Sequence, residues 1–424
     1  MPQTRQYRVA IQTFGCKLNQ AESESMARDF SECGYALVEP HEAADIYVVN
    51  TCTVTAEADR KVRQWLRAAR NRSPEALLVS VGCGAARPES GISSLSDLAV
   101  DNTRKHAIVD VVKEHLVSMG VRPSPRVVPP DVERPLRTRA TLKVQEGCST
   151  QCAYCIVPSV RPDELSVPLE EVVRAATARV AEGYRELVLT GTKVGTYRDG
   201  EAGLAELLRA VLAVPGNARI RLSSLQPQEL TDALLDLWEN SRLCPHFHLS
   251  LQSGSDSVLK RMGRAYSLRQ YDDAVASIRM RAPGCAITTD VIVGFPGETR
   301  EEFEESLKYC DAIGFARIHV FPFSPRPGTR AASMMGRICG PELQRRKEAM
   351  NEVARQSLDR YARSWLHRQV EALWEGHHRG RPDVWSGTTG NYLHVLCESN
   401  DYLHNRLETV VPVDIEGDRV WVRR

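Results

Sequence analysis

No stretch of this 424-residue chain approaches the roughly 18 consecutive apolar residues that a membrane-spanning helix needs. The opening residues, MPQTRQYRVAIQT, lack the apolar core of a secretory signal. The two absences predict a cytoplasmic protein with no membrane segment. Net charge is nearly absent as well: 55 Lys+Arg stand against 54 Asp+Glu, net +1. That excludes whole-molecule attraction to nucleic acid and leaves room only for local basic surfaces. There is no internal repeat and no low-complexity tract. Hydrophobic residues make up 42% and charged residues 26%, ordinary values for folded domains, so general disorder is excluded. At roughly 100–200 residues per domain the length predicts two to four domains.

Cysteine, by contrast, is plentiful, with twelve in the chain. In a cytoplasmic setting thiols point to metal or chemistry and not to a disulfide framework. Their positions follow the organisation of the chain. Residues 7–13, 46–49 and 77–81 are short apolar, β-branched runs, separated by helical spacing at 19–32 and 55–70, with another helix over about 104–119. This alternation predicts a parallel-sheet α/β domain over residues 1–121. Five prolines between 123 and 135 mark an extended linker, 122–137. Alternation returns over 138–365. Strands are expected at 141–144, 186–190, 220–223, 246–251, 287–293 and 317–320, with helices such as 169–182 and 301–312. Six strands suit a partial TIM-like barrel, with its site beyond the carboxyl ends of the strands. Residues 366–424 read as four short β runs, 369–373, 392–397, 408–415 and 419–422, of a small β-barrel.

Cys148, Cys152 and Cys155 lie within eight residues, just after the first barrel strand. Three thiolates this close can grip one metal centre. Zinc would want a fourth Cys or His, and this loop has none. An iron–sulfur cluster held by three cysteines leaves one iron open to a small ligand. Spacing alone leaves a coincidental grouping open. Cys16, Cys52 and Cys83 each follow a strand of the first domain within three residues. In a parallel sheet those loops share the carboxyl edge, so three thiols distant in sequence converge. Three buried loop cysteines remain the alternative. The other six read as small buried hydrophobes. His246 and His248 share one face of a strand and read as satisfied core histidines.

The text GCSTQCAYCIVP resembles the signature of the radical SAM superfamily. TFGCKLNQAESE, NTCTVTAEAD and VGCGA resemble the N-terminal domain of radical methylthiotransferases. LTGTKVGTY, RLSSLQP, HLSLQSGSDSVLKRMGR, TTDVIVGFPGETREEF and HVFPFSPRPGT resemble that family's barrel segments. GTTGNYLHV with the β-rich tail resembles its RNA-binding TRAM domain. Two positions depart from the family's IxPxxRGxxxSRP, namely Pro162 and Val167, and Ala85-Ala86 stands where Ala-Gln is usual.

The resemblance implies two 4Fe–4S clusters, one on each triad, with S-adenosyl-L-methionine on the open iron of the Cys148–Cys155 centre and a 5′-deoxyadenosyl radical as its product. It places Tyr154, Gly191, Gln252, Asp290 and Gly294 around that cofactor. It implies transfer of a methylthio group to an unactivated C–H, carbon 2 of adenine 37 in a tRNA anticodon loop, with a small electron-donor protein as partner. GCKLN resembles the MtaB-type branch, whose substrate is N6-threonylcarbamoyladenosine. The isopentenyladenosine and ribosomal-protein branches are the runners-up, and a non-catalytic iron–sulfur RNA-binding protein is the alternative of another class. Substrate contacts are expected at Lys17, beside a cluster ligand, at Arg63, Arg67 and Arg70 on the basic helix, and at Tyr392 in the tail.

Overall fold

The computed structural model describes residues 6–120 and 138–424. The expected linker at 122–137 lies outside them. In the first domain β1 (Arg8–Thr13), α1 (Lys17–Glu32), β2 (Ala36–Val38), β3 (Ile46–Thr51), α2 (Ala56–Arg72), β4 (Leu77–Gly82), β5 (Leu98–Val100) and α3 (Ile108–Ser118) follow one another. The strands form one parallel sheet in the order β2-β1-β3-β4-β5. Every residue of β3 and β4 is buried, because helices cover both faces. Met26 and Phe30 of α1 pack with Val112 of α3 on one face. Val62, Leu66 and Ala69 of α2 pack on the other. The two strands that periodicity missed, β2 and β5, are three-residue edge strands, too short to show alternation.

The second domain opens with β6 (Arg139–Lys143). A two-residue pairing of β7 (Gln145–Glu146) with β8 (Leu165–Ser166) closes the cysteine loop, which also carries α4 (Val157–Val160). Then come α5 (Leu169–Ala181), β9 (Glu186–Thr190), α6 (Leu204–Leu212), β10 (Arg219–Leu222), β11 (Ser224–Leu225), α7 (Asp232–Leu235), β12 (His246–Leu249), α8 (Asp256–Met262), α9 (Leu268–Arg281), β13 (Ala286–Val293), α10 (Arg300–Ile313) and β14 (Arg317–Pro322). The barrel is split into two parallel sheets, β10-β9-β6 and β11-β12-β13-β14. All six expected strands are present, and β11 is a seventh. Helix α10 starts at the capping box of Thr299 and Glu302. Glu298, expected in its first turn, precedes the cap and is buried against Arg346 at 2.8 Å.

Helix α11 (Gly340–Arg363) leads to β15 (Val370–His378), β16 (Arg381–Thr389), β17 (His394–Glu398), β18 (Leu407–Glu416) and β19 (Arg419–Arg423). They close in the order β15-β16-β17-β19-β18 around Trp374, Trp385, Val395 and Val410. The strand missing from the four expected is β16, which opens on Arg-Pro-Asp and so hides its alternation.

The three units are bound to one another by polar contacts. Arg326 after β14 donates to Asp59 (2.5 Å) and Thr53 (2.7 Å) of the first domain, and Arg87 donates to the Pro327 carbonyl. Under the barrel, Arg219 and Arg221 share the buried Glu186 carboxylate and donate to the carbonyls of Thr388, Thr389 and Gly390 in the small barrel. Together the two guanidinium groups hold Glu186 well below the usual carboxylate range despite its burial.

Candidate active site between the first domain and the barrel

Cys16 occupies the N-cap position of α1, Cys52 follows β3 directly and Cys83 follows β4 directly. Since β1, β3 and β4 are adjacent and parallel, their carboxyl-edge loops converge. Gly15 shows how closely: at φ +105 it lies where a Cβ would stand 2.5 Å from the Cys52 Cβ. The three sulfurs act on one another electrostatically. Cys52 and Cys83 are buried while Cys16 is exposed, and burial pushes the Cys52 thiol up to about 12.

The loop with Cys148, Cys152 and Cys155 is fixed from both sides. Gly147, at φ +79, leaves room for no Cβ, because the Asp163 carbonyl oxygen would lie 1.8 Å from it. The Ala153 amide donates to Met262, and the Ala153 carbonyl accepts from Ala331. Arg264 donates to the Cys152 sulfur at 3.4 Å and to the Tyr266 hydroxyl at 3.1 Å. Burial pushes Cys155 up to about 11, and it holds the Tyr154 hydroxyl well above its usual range beside Arg264 and these sulfurs.

These donor sets suit the group the sequence implies. All six cysteines are free thiols. Burial keeps the shifted ones protonated unless a cation takes the proton's place, as a metal cluster does. Each triad also has a cationic N–H donor aimed at sulfur, Arg161 at Cys83 (3.4 Å) and Arg264 at Cys152. Such donors stabilise electron-rich cluster sulfurs.

Arg161 joins the triads. Its carbonyl accepts from the Cys148 amide at 3.2 Å. Its guanidinium donates to Cys83, to both Glu22 carboxylate oxygens (2.8 and 2.9 Å) and to Glu146 at 2.6 Å. Lys105 closes the ion cluster on Glu22. Burial works against the Glu22 charge, but Lys105 and Arg161 prevail and hold its pKa down to about 2.

The remaining expected residues separate. Lys17 lies within electrostatic reach of the barrel charges: burial first, then Arg221 and Arg139, push its pKa down to about 8, while Glu186 and Asp290 act in the other direction. Asp290 also faces this interior, 3.3 Å from His248 Nε2. Gly191 approaches the chain so closely that a Cβ would sit 2.7 Å from the Gln145 carbonyl oxygen. Gly294 (φ +74) donates its amide to Glu298 and is a turn fixed by that carboxylate. Gln252 adopts φ 71 and bridges to β13 through the Asp290 carbonyl. Val167 packs its side chain against the barrel core, its amide donates to Val144 and its carbonyl accepts from Tyr197.

Three expectations need correction. Arg70 is committed to Asp97 by two 2.6 Å hydrogen bonds and to the Pro74 and Ala76 carbonyls, and Arg63 to the Ser90 carbonyl. Of the three helix arginines, Arg67 alone is exposed with no hydrogen bond or ion pair among the described residues. Tyr392 does not present a free ring. It is stacked on His246 at 4.2 Å, with Arg221 5.3 Å from its centroid. Of the six other cysteines, Cys33 is half-buried near Lys113 and Cys339 is exposed.

Residues 142–310 match the Radical SAM superfamily, and residues 8–101 match a family described only as Uncharacterized protein family UPF0004. The chain is 38% identical to the threonylcarbamoyladenosine tRNA methylthiotransferase MtaB of Thermotoga maritima, over 87% of this chain and 86% of that one. It belongs to the radical SAM methylthiotransferase family. Other members are the Bacillus subtilis protein of the same name, 34% identical over 95% of this chain and 93% of its own, and the tRNA-2-methylthio-N(6)-dimethylallyladenosine synthase of Syntrophotalea carbinolica, 33% identical over 95% of both. Among solved structures, the radical S-adenosylmethionine methyltransferase TsrM of Kitasatospora setae shares the fold, with TM-score 0.57, 14% identity and coverage of 77% and 75%. A radical SAM methylthiotransferase uses S-adenosylmethionine and 4Fe–4S clusters, and these are the cofactors of this chain.

Sequence reasoning missed Glu22, Lys105, Arg161, Arg264 and His319. Arg161 alone carried a signal, as the retained Arg of IVPSVRP.

Proposed function

We propose that this protein transfers a methylthio group to carbon 2 of N6-threonylcarbamoyladenosine at position 37 of tRNA. The observation that carries the reading is the pair of cysteine triads brought to one junction, with Arg161 in contact with both. Cys148, Cys152 and Cys155 would hold the cluster that binds S-adenosylmethionine, and Cys16, Cys52 and Cys83 the auxiliary one. When bound, these groups supply a carbon radical and a transferable sulfur, the chemistry that an unactivated aromatic C–H needs. The protein's part is placement. Arg161 and Glu22 lock the domains at fixed spacing, and Arg264 and Arg161 stabilise sulfur charge. Tyr154 packs on the apolar cluster of Val258, Met262, Phe295 and Phe323 and would help hold the cofactor beside this loop.

The base has to leave the helical stack to reach this junction, which favours the single-stranded anticodon loop. No helix among the described residues is long and apolar enough to cross a membrane; we place the reaction in the cytoplasm, with a small protein as electron donor. Relatives named for dimethylallyladenosine are nearly as similar, and the charged barrel interior argues against that apolar substituent. Mass spectrometry of tRNA nucleosides from cells with and without the gene tests the reading. The 2-methylthio form of threonylcarbamoyladenosine is expected to vanish; loss of a methylthiolated isopentenyl form instead would refute it.

A further inference from the structure

The barrel interior holds charges that the cluster chemistry leaves unused. Lys17 opens α1, the helix that packs against barrel strands β6 and β9, and its charge acts on Asp290 and His319. Asp290 and His319 pair in register on β13 and β14, and His248 faces Thr288 on the neighbouring strands. The ligand atoms of His248, Asp290 and His319 all lie within 4.8 Å of one another. Asp290 keeps 30% of its side chain exposed, so this interior is reachable.

Hydrogen-bond bookkeeping separates the committed groups from the open ones. His248 Nε2 faces Asp290 and therefore carries the proton. Its Nδ1 then accepts from Thr288 Oγ1 at 3.0 Å, and Thr288 in turn accepts from His246 Nε2 at 3.0 Å. His246 Nδ1 is left buried without a donor, consistent with a neutral ring. Both nitrogens of His248 are thus used. Glu186 is consumed by Arg219 and Arg221. The side chains of Lys17 and His319 make no hydrogen bond or ion pair among the described residues, and Lys17 and Asp290 do not pair with each other. One cation, one anion and one imidazole are held apart around a common space. A metal ion is a poor occupant, because His248 is already spent and Lys17, Arg139 and Arg221 surround the space with positive charge.

Resting on the proposed substrate, we infer that this interior receives the threonylcarbamoyl group, with Lys17 and His319 taking its carboxylate and Asp290 accepting its hydroxyl or urea N–H. Chain geometry is favourable. Lys17 directly follows Cys16, so a base whose carbon 2 faces the auxiliary sulfur sends its N6 substituent, on the same ring but diverging, into the barrel. A carboxylate leaving water needs such a cation, and charge-assisted hydrogen bonds supply the affinity. An apolar isopentenyl group would leave the Lys17 ammonium without a partner.

The test uses the reconstituted full-length protein with three tRNAs that differ only at position 37: the threonylcarbamoyl form, its carboxylate methyl ester and the isopentenyl form. Wild type is expected to show KM for the ester at least about tenfold above that for the acid, from the loss of one charged hydrogen-bonded contact. Lys17→Gln and His319→Gln are expected to raise KM for the acid by a similar factor and to lose little further with the ester, with iron content and S-adenosylmethionine affinity unchanged. His319 stands on β14, away in sequence from every proposed cluster ligand, so it still tests the pocket if Lys17→Gln disturbs the cluster. Equal KM for acid and ester in wild type, or weakened S-adenosylmethionine binding in His319→Gln, would overturn the inference while the substrate assignment stands. Turnover of the isopentenyl tRNA alone would instead overturn the assignment beneath it.

Discussion

Arg161 and Glu22, 139 residues apart, form a two-point ion pair at 2.8 and 2.9 Å between the barrel's cysteine loop and the first helix. The pair is buried on both sides, at 4% and 7% side-chain exposure, where the charge of either partner is costly without the other. Glu22→Gln leaves Arg161 and Lys105 with excess positive charge beside Cys83. It is expected to lower unfolding stability by about 3 kcal/mol, measured anaerobically by urea denaturation at neutral pH. An unchanged midpoint would show that the domains are held by other contacts, such as Arg326 to Asp59.

The triads are separable in iron. Two reconstituted 4Fe–4S clusters amount to about eight irons. Replacing Cys148, Cys152 and Cys155 by Ala is expected to leave about half and to abolish 5′-deoxyadenosine formation. Replacing Cys16, Cys52 and Cys83 is expected to leave about half with some S-adenosylmethionine cleavage retained. Full iron in the second variant would refute the auxiliary site.

Both triads were legible in the sequence because each depends on short-range facts: three thiols in one loop, or three thiols one step past strands that a parallel sheet must align. The long strands were legible for the same reason, and β16 and the three-residue edges were not. What escaped depends on docking. Nothing near Glu22 announces a partner at Arg161, and nothing near Tyr392 announces His246. Lys17 drew attention for its neighbour Cys16, but its surroundings, Arg139, Arg221 and Asp290, come from three barrel strands far along the chain. The helix arginines misled because net charge was counted before partners were known, and Asp97, after β4, cancels Arg70.

Tyr392 packs against barrel residues, His246 on β12 and Arg221 on β10. With its ring stacked on His246, Tyr392→Ala is expected to cost about 2 kcal/mol of stability and to leave tRNA affinity nearly unchanged. A base-stacking role predicts the reverse, a loss of roughly 1–3 kcal/mol in tRNA binding at constant stability. Thermal unfolding and a tRNA titration on the same variant decide between them.

His394 gives the small barrel a pH limit. Burial, then Arg317 and Arg419, lower its pKa to about 4, and its Nδ1 lies 3.1 Å from Arg419. The folded form therefore keeps the ring neutral, while the unfolded chain takes up a proton below its ordinary value near 6.5. Its contribution to stability is full above about 6.5 and declines as pH falls toward 4, by roughly 3 kcal/mol at most. His394→Gln keeps an acceptor and cannot titrate, so its denaturation midpoint is expected to vary less between pH 7 and 4.5. Parallel curves for the two proteins would rule this out.

Arg67 is the helix arginine left for nucleic acid. It is exposed on α2 between Arg63 and Arg70, both of which are committed to the first domain itself. If this face meets the tRNA backbone, Arg67→Glu weakens binding and lowers the slope of log affinity against log salt by about 1, the counterion release of one phosphate contact. Arg70→Glu acts differently: it sets a like charge against Asp97 and removes two further hydrogen bonds, to the Pro74 and Ala76 carbonyls, so its main effect is on the stability of the first domain. The two variants together separate RNA contact from folding. A salt slope unchanged in Arg67→Glu, with stability also unchanged, would show that α2 presents only a solvated face and that the tRNA contacts lie elsewhere.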